Sequence, residues 1–170
     1  MTNPQLTNLR RVFVAGTIQG SNEGLRIDDQ SYREQISALV RARFPAAECF
    51  DPSSEVTRRL ADPETLALVG TLMGDPPPVL DLGSLPPELG ALRATFNAMT
   101  AEAATCDLCV AYLPGRTLSM GTAMEMQAAF AAGVPIAAVT SLVDNLAVMS
   151  VSTWVVRDLD ALAVLLDGQA

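Results

Sequence analysis

The stretch that decides the fold runs from residue 108 to residue 126. It begins with the apolar run Leu108-Cys109-Val110-Ala111-Tyr112-Leu113, passes through a loop, and continues as Ser119-Met120-Gly121-Thr122-Ala123-Met124-Glu125-Met126. The apolar run predicts a buried strand, and the alanine-rich segment after it predicts a helix that ends at Gly133. The start of a helix offers free backbone N–H groups and a partial positive charge, which suit an anion such as phosphate. Glu125 lies near this helix start and is the first candidate for a catalytic side chain.

The same alternation of strand and helix continues along the whole chain. The predicted strands cover residues 11–15, 46–50, 107–113, 134–139 and 153–156. The predicted helices cover residues 28–43, 92–105, 120–132, 143–149 and 158–166. Short apolar runs that alternate with helices are typical of a parallel sheet covered on both faces. We therefore expect an α/β fold, a doubly wound parallel sheet of about five strands of the flavodoxin or Rossmann kind.

One segment departs from this pattern. Residues 62–90 contain Pro76-Pro77-Pro78, Pro86-Pro87 and four glycines. This composition predicts a Pro/Gly-rich, irregular insertion with one short helix near residues 63–71, serving as a lid, a dimer contact or a loop. Residues 1–170 as a whole are expected to form a single domain, because this length supports one sizeable core.

Composition excludes several kinds of chemistry. The 170 residues carry a formal net charge of −8, which argues against binding to nucleic acid. All eleven basic residues are arginine, and the chain has no lysine and no histidine. A Ser-His-Asp triad, a Schiff-base lysine, a Walker lysine and a histidine metal site are therefore excluded. We expect no cofactor and no metal, so that catalysis relies on carboxylates, hydroxyls, amides, arginine and the backbone.

The sequence also bears on location and on the cysteines. No apolar run approaches the ~20 residues of a membrane-spanning helix, and the polar first eleven residues lack the core of a signal peptide. We expect a cytoplasmic protein with no membrane partner. Cys106 and Cys109 have the spacing of a redox motif, but they and Cys49 adjoin apolar runs and are interpreted as core residues.

Ligands of parallel sheets bind beyond the carboxyl ends of the strands. The predicted loops 16–22, 51–54, 114–122 and 140–145 all lie at that edge. The glycine-containing first loop and the segment that carries Glu125 are therefore expected to meet in one cleft.

Three features of the sequence match a known family. They are the opening strand and loop Phe13-Val14-Ala15-Gly16-Thr17-Ile18-Gln19-Gly20, the aromatic Tyr32 in the next helix, and Asp107 followed by Ser119-x-Gly121-Thr122-x-x-Glu125. These residues resemble the nucleoside 2-deoxyribosyltransferase superfamily, which includes the nucleoside 5'-monophosphate N-glycosidases. The similarity spans roughly residues 11–139, apart from the insertion.

The resemblance implies an activity. The glutamate that matches Glu125 is the family's nucleophile, which displaces the base to give a glycosyl-enzyme that water or a second base resolves. Asp107 belongs to the same catalytic block. Ser119 stands where enzymes of free nucleosides carry aspartate, so it favours a 5'-phosphorylated substrate. The implied substrate-binding residues are Phe13, Gly16, Thr17, Gln19, Gly20, Tyr32, Ser119, Gly121 and Asn145.

The chain departs from the family at one position, and the resemblance also implies a partner subunit. The family's leaving-group acid would fall at Met99, so that Glu102, Asp51 or Asp81 would have to replace it. Family members form homodimers in which a polar residue of one subunit reaches the other's site. Asn145 and Ser150 are the two candidates for that role.

Two alternative functions remain open at this point. The phosphoribohydrolases that activate cytokinins share a Gly-x-Gly-Thr-x-x-Glu signature, usually preceded by Pro-Gly-Gly. Here Pro114-Gly115 is followed by Arg116-Thr117-Leu118, so that pattern is broken. The other alternative is a non-catalytic module that binds or senses a nucleotide in the same cleft.

Overall fold

A computed structural model describes residues 6, 8–18, 27, 29–115 and 118–168. The strands are β1 (Arg11–Gly16), β2 (Glu48–Phe50), β3 (Leu108–Leu113), β4 (Ile136–Thr140) and β5 (Trp154–Val156). The helices are α1 (Ser31–Arg43), α2 (Ser53–Leu60), α3 (Pro63–Gly74), α4 (Pro87–Ala101), α5 (Met120–Ala131), α6 (Leu146–Val151) and α7 (Leu159–Leu166). A single 3₁₀ turn, Glu102–Thr105, extends α4 toward β3.

The strands form one parallel sheet in the order β2-β1-β3-β4-β5. This is the flavodoxin-type order, in which the chain first builds outward from β1 to β2 and then returns to β3 on the other side. The predicted fold class is confirmed. β1 and β3 are neighbours in which Gly16 pairs with Tyr112, and the order reverses between them. A ligand crevice is expected beyond their carboxyl ends.

The sheet separates two apolar layers, because successive side chains of a strand point to opposite faces. Val12 and Val14 of β1 pack into a cluster with residues of α1 and α7. Phe13 and Ala15 pack into a second cluster with residues of α5 and α6. All four of these side chains are fully buried, so β1 is the centre of the core and its carboxyl end is held rigidly.

The segment between β2 and β3 is more regular than the sequence predicts. The sequence does not predict helix α2, α3 extends to Gly74, and α4 begins at Pro87, so residues 75–86 are the longest stretch of this segment without regular structure. Pro63 and Pro87 each occupy the first turn of a helix, where the missing N–H costs nothing and the fixed φ favours the helix. Pro87, one of the prolines that suggested irregular chain, is therefore a helix start, whereas Pro76-Pro77-Pro78 lie in the segment without regular structure.

None of the described helices is long and apolar enough to cross a membrane.

Candidate functional site

A cavity of about 440 Å³ opens beside the carboxyl end of β1. One part of its lining comes from Gly16, which ends β1, and from the first turns of α5, with Ser119, Gly121 and Glu125. Ile18, Met120 and Met124 complete this part of the lining. The sequence prediction that the first loop and the α5 segment meet in one cleft is thus confirmed at Gly16.

The rest of the lining comes from the helices between β2 and β3. Val56 and Leu60 of α2 and Leu92, Arg93 and Phe96 of α4 face the same cavity. Four of these five side chains are apolar, and Arg93 is the single basic one. The Nη1 of Arg93 donates to the carbonyl oxygen of Leu82 at 3.2 Å, which ties α4 to the irregular segment before it.

Glu125 is the single carboxylate among the lining residues that the structure describes. It lies on the buried side of α5, with 5 % of its surface exposed, and its Oε2 has no hydrogen-bond partner among the described residues. Burial raises the pKa of Glu125 to about 8, while the Arg33 guanidinium and the backbone N–H of Gly16 act in the opposite direction. A buried carboxyl oxygen without a partner is rare in proteins, and it marks a functional candidate.

A buried arginine forms hydrogen bonds to the carboxyl end of β1. Arg33 of α1 is 3 % exposed, and its guanidinium donates to the carbonyl oxygens of Val14 at 2.6 Å and Gly16 at 2.8 Å. It also forms an ion pair with Asp51 at 3.0 Å, immediately after β2. Arg33 therefore fixes the strand end at Gly16, which lines the same cavity as Glu125.

The start of α5 is capped by a side chain. The Oγ of Ser119 accepts from the backbone N–H of Thr122 at 3.2 Å and from the Thr122 hydroxyl at 2.9 Å. A hydroxyl that accepts two bonds keeps its own proton for a third partner. Ser119 therefore serves as an N-cap and can still donate to a ligand in the cavity. Gly121 faces the Phe96 ring of α4, since a Cβ there would lie 3.4 Å from it, an ordinary contact distance.

Two of the predicted binding residues lie at a neighbouring cavity. Tyr32 stacks on Tyr112 with ring centroids 4.4 Å apart, and its hydroxyl donates to the carbonyl oxygen of Thr17 at 3.3 Å. Tyr32 and Thr17 line a second cavity of about 430 Å³, which also includes Pro114. The Tyr32 ring packs directly against Gly16, whose missing Cβ makes room for it. Burial raises the pKa of the Tyr32 hydroxyl, which remains neutral.

The structure contradicts the prediction that Asp107 belongs to the site. Asp107 precedes β3 at the amino edge of the sheet, where its Oδ2 accepts from the backbone N–H groups of Arg10 at 2.8 Å and Arg11 at 2.9 Å. The length of β3, about 20 Å at about 3.3 Å per residue, separates it from the cavity edge. Its role in this structure is to cap the chain that enters β1.

Phe13 is also corrected as a binding residue. Its side chain is fully buried within the sheet layer and stacks on Phe50 with ring centroids 5.5 Å apart. A ligand in the cavity cannot reach it, because odd positions of β1 point into the layer beneath α5. The family-like opening strand therefore contributes through its end, Gly16, rather than through its aromatic residue.

The remaining predicted binding residues are placed as follows. Asn145 is the N-cap of α6, where its Oδ1 accepts from Ala147 N at 3.0 Å and Val148 N at 3.2 Å, and it does not line the described cavity. Its contribution to a partner subunit stays a prediction. Gln19 and Gly20 lie outside the described residues.

No alternative leaving-group acid lines the cavity within the described part of the chain. Glu102 pairs with Arg11 at 2.9 Å near the amino edge of the sheet, and Asp81 lies in the exposed segment after α3. Asp51 does not line the cavity and forms an ion pair with Arg33. Met99 follows Phe96 by about one turn of α4 and is half-buried.

Sequence reasoning missed Arg33 and the α2–α4 part of the lining. Arg33 falls in the helical stripe of buried residues that includes Ile36 and Val40, with spacings of three and four. A charged residue inside an apolar stripe is the signal that would have identified it. No comparable signal exists for Val56 and Leu60, because α2 is only eight residues long.

The described residues contain no group of three or more histidine, cysteine, aspartate or glutamate side chains that could hold a metal ion.

No family model matches the sequence, and no curated protein is detectably similar to it. Solved structures do match the fold. The chain is similar to a 2-deoxyribosyltransferase from Bacillus psychrosaccharolyticus, with a TM-score of 0.54 and 15 % identity over 90 % of both chains. It is also similar to a conserved protein from Enterococcus faecalis V583, with a TM-score of 0.50 and 17 % identity over 95 % of this chain and 99 % of that one.

A CMP N-glycosidase of Clostridium botulinum also matches, with 15 % identity over 95 % of this chain and all of the other. Its TM-score is 0.40, which is too low to support an inference. The matches with TM-scores of 0.54 and 0.50 show the fold alone. The five-stranded parallel α/β fold of this chain is similar to that of a 2-deoxyribosyltransferase. This is the fold that the sequence resemblance implies.

Proposed function

We propose that this protein cleaves the N-glycosidic bond of a nucleoside or nucleoside 5'-monophosphate, with Glu125 as the nucleophile. The observation that carries the proposal is the placement of Glu125. It is the single carboxylate lining a cavity at the carboxyl end of β1, and one of its oxygens has no hydrogen-bond partner among the described residues. The fold shared with a 2-deoxyribosyltransferase and the Gly-Thr-x-x-Glu element support the same reaction.

The reaction proceeds in two steps. An ionised Glu125 oxygen attacks the anomeric carbon, while the bond from that carbon to the base nitrogen breaks and its electron pair leaves with the base. The base takes a proton from solvent, because no second carboxylate lines the described cavity. Water, or the nitrogen of another base, then attacks the same carbon, and its proton passes to solvent. The ester bond breaks and restores the Glu125 carboxylate.

Burial of Glu125 fits this covalent route. Its raised pKa, about 8, means that the ionised form is held against an unfavourable environment and is a stronger base than an exposed glutamate. An ester at Glu125 carries no charge, so bond formation removes the buried charge. Arg33 and the N–H of Gly16 keep a fraction of the carboxylate ionised at neutral pH.

The start of α5 supports a 5'-phosphate on the substrate. The N-terminus of a 12-residue helix carries a partial positive charge, and Gly121 leaves its backbone accessible beside the cavity. The Ser119 hydroxyl adds a donor where an aspartate would repel the phosphate. We also propose a homodimer, in which Asn145 or Ser150 of one subunit approaches the other's cavity.

The test is release of free base, measured by chromatography. The purified protein is incubated with ribo- and deoxyribonucleosides and their 5'-monophosphates, with and without a second base as acceptor. We expect release from monophosphates by the wild type and loss of at least a thousandfold in Glu125→Gln. The control Glu64→Gln removes an exposed carboxylate of α3 and should leave the rate unchanged. Full activity of Glu125→Gln would overturn the proposed nucleophile.

A nucleotide-binding module without turnover is the second candidate. One observation favours it: the described lining holds no second acid beside Glu125, and Met99 stands where the family's leaving-group acid would fall. Saturable nucleotide binding with no release of base from any member of the panel would support it. Turnover that depends on Glu125 would exclude it.

A further inference from the structure

The cavity beside Glu125 is lined mainly by apolar side chains. Its α2 and α4 part consists of Val56, Leu60, Leu92 and Phe96, with Arg93 as the one polar side chain. The α5 part adds two methionines, and Ile18 follows β1, so seven of the twelve lining residues are apolar. Nucleotide bases carry hydrogen-bonding groups along their edges. The apolar lining therefore restricts which base edge can be accommodated.

The geometry of the proposed reaction sets where the base lies, and the inference rests on that proposed function. In a displacement that forms a glycosyl-enzyme, the leaving group departs from the face of the sugar opposite the nucleophile. The sugar contacts Glu125, so the base extends away from the carboxylate. The part of the lining that does not belong to β1 or α5 is the α2–α4 wall, which we define as Val56, Leu60, Leu92, Arg93 and Phe96.

The α2–α4 wall offers hydrogen-bond donors and no side-chain acceptor. The Arg93 guanidinium carries only N–H groups, and the other four side chains make no hydrogen bonds. A ring nitrogen of the base, which accepts, finds a partner in Arg93. A free exocyclic N–H, which donates, would lose its bond to water without replacement and would disfavour binding. An alkyl group at that position removes a donor and buries apolar surface instead.

We propose that the α2–α4 wall is a subsite for the leaving base and selects a base that carries an apolar substituent on the edge remote from the sugar. The cavity volume of about 440 Å³ lies within the usual range for small-molecule sites, about 300–1,000 Å³. Each buried CH₂ of such a substituent contributes about fourfold in affinity. A propyl group is therefore expected to improve binding at least tenfold over the unsubstituted base.

The experiment compares matched ligand pairs that differ only in the substituent. The pairs are AMP with N6-propyl-AMP and dUMP with 5-propyl-dUMP. Dissociation constants are measured by titration calorimetry on Glu125→Gln, which prevents turnover, and kcat/KM for base release is measured on the wild type. At least tenfold tighter binding of the propyl member of either pair supports the subsite. Equal or weaker binding of the propyl members, or no binding of any member, overturns it.

A variant of the wall links the preference to these residues. Leu92→Asn places an amide oxygen, which accepts hydrogen bonds, on the half-buried side of α4. We expect the propyl-to-unsubstituted affinity ratio to fall at least fivefold. The control Leu66→Asn changes a leucine of α3 that is 39 % exposed and lines no part of the cavity, and it should leave the ratio unchanged. An unchanged ratio in Leu92→Asn would overturn the assignment to the wall.

The two kinds of measurement separate this inference from the proposed function. A propyl preference in binding without base release by the wild type refutes the proposed catalysis and keeps the subsite. Base release without a propyl preference keeps the catalysis and refutes the subsite.

Discussion

The burial of Glu125 predicts that the free energy of unfolding depends on pH. Its pKa is about 8 in the folded state, against 4.5 for an unperturbed glutamate. Between these values the folded state holds a proton that the unfolded state has lost, so the free energy of unfolding falls as pH rises. The two pKa values differ by about 3.5. At about 1.4 kcal/mol per pH unit, the free energy of unfolding falls by about 5 kcal/mol in total. The loss is complete above about pH 8.

Glu125→Gln removes this titration and isolates its contribution. Other carboxylates, such as Asp62, whose pKa is lowered by its cap of α3, titrate equally in both proteins and cancel. The assay is urea unfolding of the wild type and the variant at pH values from 5 to 9. The stability of the variant relative to the wild type should increase by about 1.4 kcal/mol per pH unit up to about pH 8 and then level off.

The same titration should appear in catalysis, since only the ionised carboxylate attacks. We expect kcat/KM for base release to rise about tenfold per pH unit below about pH 8 and to level off above it. The control Glu64→Gln should leave kcat/KM unchanged, because that carboxylate is exposed and does not line the cavity. A constant stability difference between the wild type and Glu125→Gln from pH 5 to 9 would refute the reasoning, since it would mean that Glu125 titrates normally.

Three further substitutions test the surroundings of Glu125. Gly16→Ala should lower the free energy of unfolding by about 1–3 kcal/mol in urea titrations, because the new Cβ overlaps the buried Tyr32 ring. Arg33→Met should cost about 3–5 kcal/mol, since it removes the ion pair with Asp51 and the side-chain donor of two backbone carbonyls. It should also move the pH profile of kcat/KM to higher pH, because the guanidinium holds the pKa of the carboxyl down. Ser119→Ala should cost about 1 kcal/mol as a lost cap and should raise KM for a 5'-monophosphate but not for its nucleoside.

Each of these substitutions has a matched control in the chain. Gly90→Ala in α4 meets no atom within 4 Å and should stabilise the protein by up to about 1 kcal/mol. Arg58→Met removes an exposed ion pair of α2 and should change stability by less than about 1 kcal/mol. Asp158→Ala removes the cap of α7 and should leave KM unchanged. A KM effect of Asp158→Ala equal to that of Ser119→Ala would contradict the phosphate assignment.

The elements of the sheet could be predicted because each is encoded locally. Apolar runs predict all five strands, four of them bounded by glycine or proline, and Ser119 and Asp158 identify the starts of α5 and α7 by their capping side chains. The position of Glu125 in the cavity follows from the same local signals, since a parallel sheet places the starts of such helices at its carboxyl edge.

The residues that the sequence does not place correctly have positions set by tertiary structure rather than by local sequence. Asp107 adjoins β3 in sequence, but it stands at the amino end of this strand, and the two ends of a strand lie at opposite edges of the sheet. The apolar stripe of α1 can indicate that Arg33 is buried, but its hydrogen bonds join it to β1 residues 17 and 19 positions away, which the stripe does not reveal. The sequence predicts irregular chain around Pro86-Pro87, but Pro87 begins α4, which lines the cavity.

The most direct test of the central claim is to detect the glycosyl-enzyme itself. The wild type is mixed with a 5'-monophosphate that it cleaves, quenched in acid within the first turnover, and measured by intact mass and by mass of its proteolytic peptides. The account predicts an added mass of the substrate without its base, carried by the peptide that contains Glu125 and absent from Glu125→Gln. Base release with the adduct on another residue, or sustained release by Glu125→Gln, would contradict the account.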